Sequence, residues 1–174
     1  MLFDLNKSIE ILERTPYVLT TLLQGLSNEW LFNNEGGSTW SPYDITGHYI
    51  EGEKTDWIPR MRIILSNDDD KRFVPFNRFA QLNNDKNKPI NVLLKEFTER
   101  RKNNIIELKN ANIDEEKLNK KGIHPEFGEV TLQQLLAAWV THDLNHISQI
   151  SRVMAKQYKE ETGPWTKYIS IVNR

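Results

Sequence analysis

Four stretches of this chain repeat apolar residues every three to four positions, and that period limits the fold more than any other feature. Leu5, Ile9, Leu12, Leu19, Leu22, Leu23 and Leu26 mark a first helix over residues 4–26. Pro16 lies inside it and should kink it or split it in two, because proline lacks the N–H the helix needs. The pattern dissolves over residues 27–39, where Asn33, Asn34, Gly36 and Gly37 read as a loop.

A second helix starts at Trp40-Ser41-Pro42-Tyr43-Asp44. Ser41 is placed as N-cap, Pro42 takes the first helical position, and Asp44 stands where a capping-box acid belongs. The helix should run to residue 65 with a bend at Pro59. Gly47 and Gly52 inside it point to close approach of a neighbour. Residues 66–88, including Asp68-Asp69-Asp70 and Asn83-Asn84-Asp85, read as a solvated polar linker. A third helix over residues 89–109 turns Ile90, Leu93, Leu94, Phe97, Ile105 and Leu108 inward. Residues 110–129 form another irregular connection. The fourth helix opens at Thr131, with Gln134 as its capping partner, and runs to about residue 159.

Strand signals are few, so the expectation is all-α: a four-helix bundle in one domain over residues 1–174, with a short extra C-terminal segment. The long connections permit parallel neighbours, leaving the topology open.

Composition removes several function classes. The 23 basic and 24 acidic residues nearly cancel, and no basic stripe invites a nucleic-acid backbone. No apolar run approaches the ~18 residues that span a bilayer. Cysteine is absent, which excludes disulfides, thiolate ligands and a cysteine nucleophile. It also fits a cytoplasmic protein. The expected partner is a small-molecule substrate, with neither nucleic acid nor membrane.

The chemistry rests on histidine. His142-Asp143-Leu144-Asn145-His146 puts two imidazoles four residues apart on one helix face. Trp139, His142, His146, Ile150 and Val153 form one stripe toward the core, so both rings need buried partners. Either they are hydrogen-bonded core histidines or they share a metal ion. His48, on the second helix beside Gly47, would supply a third inward ring and complete a ligand set with an open position. Glu51, one turn after His48, is a candidate base. Asp143 either orients a ligand ring or pairs with a cation. His124, before Pro125, could lean over the site but reads better as a plain loop residue. The zincin motif needs Glu where Asp143 stands, and the di-iron motif needs Glu where Ile45 stands, so neither fits.

At these residues the chain resembles the DinB-like (DinB/YfiT) family of helical metal-binding proteins. The likeness is carried by Arg14-Thr15-Pro16, Trp40-Ser41-Pro42, Gly47-His48 with Glu51 and Glu53, Gly128-Glu129-Val130-Thr131-Leu132 and the His142–His146 segment. It implies an up-down-down-up bundle, often dimeric, with His48, His142 and His146 holding zinc, nickel or a similar divalent ion. Family activities include thiol-dependent transferases and isomerases that use low-molecular-weight thiols; other members carry a hydrolase label. The leading expectation is therefore transfer of a thiol to a small electrophile, the ion stabilising the thiolate. The alternatives are hydrolysis, in which the ion lowers water's pKa toward ~7, and binding without turnover.

Overall fold

The computed structural model describes residues 1–83 and 85–174; Asn84, within the second expected linker, lies outside the described residues. Helix α1 spans Leu5–Leu23, capped by Asp4, whose side chain accepts from Lys7 N. A short α2, Asn28–Phe32, occupies the expected loop. The second long element is two helices, α3 Pro42–Thr55 and α4 Trp57–Leu65. Then follow α5 Ile90–Asn110, a one-turn α6 Glu115–Leu118, a hairpin of β1 Lys121–His124 and β2 Gly128–Thr131, and α7 Leu132–Lys156. Both predicted capping boxes form, at Ser41 with Asp44 and at Thr131 with Gln134. Among the described residues no helix is long and apolar enough to cross a membrane.

The directions follow from which residues meet. Glu53 and Trp57 on α3–α4 reach Trp139 on α7, while His48 reaches His142 and His146, so these elements run antiparallel. Arg101 on α5 meets Leu12 on α1, and Lys109 meets Glu13; further along, Leu19 and Leu23 pack near Leu93 and Leu94, so α1 and α5 are antiparallel too. Leu12 clusters with Leu132 and Leu136, and Leu23 with Ile150 and Val153, which makes α1 and α7 parallel. The bundle is up-down-down-up. The long linker before α5 returns the chain so that α5 can run beside α3 in the same direction.

The split offered for Pro16 and the bend expected at Pro59 are corrected. Helix α1 continues as one helix through Pro16. The carbonyl that Pro16 cannot serve, that of Leu12, accepts instead from Arg101 Nη1 at 2.8 Å, so the missing donor comes from α5. The second helix breaks at Asp56 and not at Pro59. Pro59 then falls in the first turn of α4, where an N–H would have no partner in its own helix.

Residues 110–129, read as irregular, hold β1 and the start of β2. Strand β1 also takes a parallel partner from the linker, with Phe73 N donating to Ile123 O and Ile123 N to Lys71 O, both at 2.9 Å. Gly122 is required there, since any Cβ would collide with the Phe73 ring. Short strands made by pairing with a distant linker leave little periodic signal. The last helix ends at Lys156, and 3-10 turns over Gly163–Lys167 and Ser170–Asn173 bring the C-terminal segment back to α7.

Apolar residues fall into two clusters, one around Leu12, Met61, Leu136 and Trp139, the other around Leu19, Tyr49, Phe97 and Ile150. Between them lies a buried polar waist. Arg101 donates to both Asp143 oxygens, at 2.6 and 3.1 Å, and to Glu53 at 2.8 Å. Trp139 Nε1 and Asn104 Nδ2 donate to the Glu53 carboxylate as well.

Candidate metal centre

The three predicted histidines meet at this waist. His48 projects from α3 and the other two from successive turns of α7. Tyr49 ties the two helices together, its hydroxyl donating to the Asp143 carbonyl at 2.6 Å. One ring nitrogen from each of His48, His142 and His146 lies within 4.8 Å of the other two. Nε2 of His48 faces Nε2 of His142 at 3.0 Å. Two nitrogens bound to one ion at ~2.0–2.1 Å stand roughly 3–3.4 Å apart, so that spacing suits a shared cation. No other trio of His, Cys, Asp or Glu among the described residues gathers in this way.

The donor chemistry agrees. Burial, then the charges of its two histidine neighbours, lowers the pKa of His48 to about 3. Burial, then His142, lowers that of His146 to about 4. Both rings are therefore neutral at pH 7, with lone pairs free for a metal. His146 Nδ1 lies 2.7 Å from Gln149 Oε1, an acceptor, so that nitrogen carries the proton and Nε2 is bare. His142 Nδ1 is buried with no hydrogen-bond partner among the described residues, and Asp143 Oδ1 lies 3.9 Å away. Burial alone would raise the Asp143 pKa. The Arg101 charge outweighs it, with help from polar groups of His142, Arg101 and Thr15, and the carboxyl stays below its usual range. Behind the rings, two carboxylates share one guanidinium, and that excess negative charge favours a cation in front.

The rings form the floor of an open cleft of about 480 Å³ walled by Trp40, Asp56, Phe76, Arg78, Phe79 and Gln149, among others. Trp40 sits 4.8 Å from the His48 ring. Asp143 is fully buried behind the site and takes the second of its two expected roles, pairing with the Arg101 cation; at 3.9 Å from His142 Nδ1 it makes no hydrogen bond to that ring. Glu51, the candidate base, is not among the residues lining the cleft; its carboxylate holds Lys54 at 2.9 Å. His124 is also elsewhere. It stacks on Phe127 at 4.3 Å, and its Nδ1 accepts from the N–H groups of Glu126 and Phe127, bracing the hairpin turn.

Sequence reasoning missed Asp56, the acid that does line the cleft. Burial raises its pKa, against the opposing charge of Arg60, whose Nη1 lies 2.5 Å from the carboxylate. Nothing in the local pattern marks it, because its position depends on the break between α3 and α4. Arg101 left a clearer trace. It interrupts the inward stripe Phe97, Arg101, Ile105, and a charge on such a stripe needs a buried partner. Gln149 is one turn beyond His146 on the same helix and was equally readable.

Fold and site together define a four-helix-bundle protein with a three-histidine centre fit for a divalent ion. The chain belongs to the DinB superfamily, whose family model matches residues 11–150. Among solved structures it is similar to YfiT from Bacillus subtilis, described as a probable metal-dependent hydrolase with an unusual four-helix bundle topology. That likeness has a TM-score of 0.76 at 16% identity and covers 90% of each chain. It is also similar to TT2238, described as a four-helix bundle protein, with a TM-score of 0.56, 19% identity and coverage of 85% of this chain and 98% of that one. At such identities the likeness concerns the fold. Comparison with curated proteins gives no match.

Proposed function

We propose that His48, His142 and His146 hold a divalent cation, zinc or nickel, and that the cleft hydrolyses a small molecule. The observation that carries this reading is the convergence of three ring nitrogens, from two helices, on the floor of an open cleft. Bound there, the cation would supply Lewis acidity, lowering the pKa of water it holds and polarising an acyl or phosphoryl oxygen. The chain supplies the rest. Gln149 fixes the His146 tautomer, and Asp143, itself clamped by Arg101, stands behind His142. Asp56 accepts a proton from the nucleophile and returns it to the leaving group, a task its raised pKa suits. Trp40, Phe76 and Phe79 limit water on one side.

Thiol transfer is the second reading, favoured by the size of the cleft. Its 480 Å³ is within the range for whole small-molecule sites, leaving room for a thiol and an acceptor side by side. Because the chain has no cysteine, the thiol would arrive as a co-substrate.

The metal-loaded protein should be offered model esters, amides and phosphoesters, and separately a low-molecular-weight thiol with a model electrophile. Hydrolysis of at least one ester, amide or phosphoester is expected, abolished by chelation. Asp56→Asn should retain the metal and lower kcat ~100-fold or more. Thiol consumption without hydrolysis would replace the first reading with the second. Turnover of nothing would leave a binding protein.

A further inference from the structure

We propose that the cleft takes a small molecule with a flat apolar body and an anionic group, and that Arg78 is the residue that holds the anion. This rests on the cleft being the substrate site of the preceding section.

The arginines point to it. Every other arginine from Arg60 to Arg152 pairs with a carboxylate: Arg60 with Asp56, Arg62 with Glu107, Arg72 with Asp70, Arg100 with Glu96, Arg101 with Glu53 and Asp143, Arg152 with Glu35. Among the described residues Arg78 alone of these makes no ion pair, yet it lines the cleft beside the histidines. A guanidinium offers five donors in a planar fork suited to a carboxylate or phosphate. Arg78 is exposed, so its guanidinium is free to meet an anion entering the cleft.

A second group of charges at the cleft adds to the field, since Glu35 and Arg152 also line it. Glu35 is shared by Arg152, at 2.9 and 2.8 Å, and by Lys156 at 2.8 Å, so that triad carries one net positive charge. Asp56 is offset by Arg60. The cleft is therefore cationic at its rim in a chain whose net charge is −1. A positive rim with low-dielectric walls concentrates anions.

The apolar half of the ligand is read from the rings. Trp40 and Phe79 meet edge to face at 6.1 Å, and Phe76 stands edge-on to His48 at 5.5 Å. Phe79 remains 54% exposed, so a face is left for a ligand ring. Aromatic faces and one charged anchor are the usual means by which a pocket fixes the orientation of a small molecule.

The test is calorimetric titration with phenylacetate, phenyl phosphate and the uncharged phenylacetamide. Each is run on wild type and Arg78→Met, metal-loaded and chelated. At least one anion should bind tenfold or more tighter than the amide, and comparing the two anions tells carboxylate from phosphate. Arg78→Met should weaken the preferred anion about 10- to 100-fold and leave the amide and the metal content unchanged. Binding of neither anion at millimolar concentration, or an anion preference intact in Arg78→Met, overturns the proposal. A preference lost on chelation but kept in Arg78→Met means that the ion holds the anion; the inference then falls and the hydrolase reading stands. A preference that needs Arg78 in protein retaining no metal upholds the inference while the hydrolase reading falls.

Discussion

The apolar ends of this bundle and its polar waist obey different rules. At the ends, Leu12, Leu19, Leu108 and Val153 are wholly buried and need only apolar company of the right volume. At the waist, Arg101, Glu53 and Asp143 are equally buried, and both carboxylates depend on the one guanidinium. Taking charges out of water costs several kcal/mol apiece, and a well-packed apolar layer would often be as stable. Apart from the donor that Arg101 gives the Leu12 carbonyl, the buried charges of the waist are thus no requirement of the fold. The waist is where the histidines are, and Asp143, clamped by Arg101, lies 3.9 Å from the nearest ring nitrogen of His142.

That contrast can be broken first with acid. His48 and His146 titrate near about 3 and 4 in the folded chain, against ~6.5 for an unperturbed imidazole. The unfolded chain takes up protons first as pH falls. Metal-free protein should hold its full stability above about pH 6.5 and lose it progressively toward pH 4 and below. Urea midpoints that stay level from pH 7 to 4 would show that the rings are not buried as described.

Arg101→Met comes next. Leaving two carboxylates buried without their partner should cost ~3–5 kcal/mol in urea unfolding at pH 7. Adding Glu53→Gln and Asp143→Leu should recover most of that loss without recovering metal affinity. A triple variant no more stable than Arg101→Met would mean that the waist holds the fold together after all. Leu19→Ala, at an apolar end, should cost about 3 kcal/mol while metal affinity stays as in wild type. The smallest effect is expected from Gln149→Ala, with stability near wild type and metal affinity reduced ~10- to 100-fold. Unchanged affinity in a competition titration would remove Gln149 from the site.

Much of this was legible in the sequence because helices carry local signals. Periodicity set the long helices, and Ser41 and Thr131 marked two starts that formed as read. The His142–His146 pair needed only the helical repeat, and His48 needed only an inward face. What escaped depends on distant partners. Pro16 reads as a breaker until Arg101 is seen to serve the Leu12 carbonyl. The hairpin depends on Lys71 and Phe73 of a remote linker. Asp56 and Arg78 enter the cleft through a helix break and a loop, neither of which has a period. Glu51 was chosen because one turn from His48 looks close on a helix, but its carboxylate holds Lys54, which also reaches Glu96.

The central claim is that three imidazoles grip one cation, and elemental analysis of purified protein tests it most directly. Wild type should carry about one divalent ion per chain, while His48→Ala and His142→Ala, each folded by circular dichroism, should retain almost none. Full metal content in both folded variants, or none in the wild type after growth with zinc and nickel, would contradict the account.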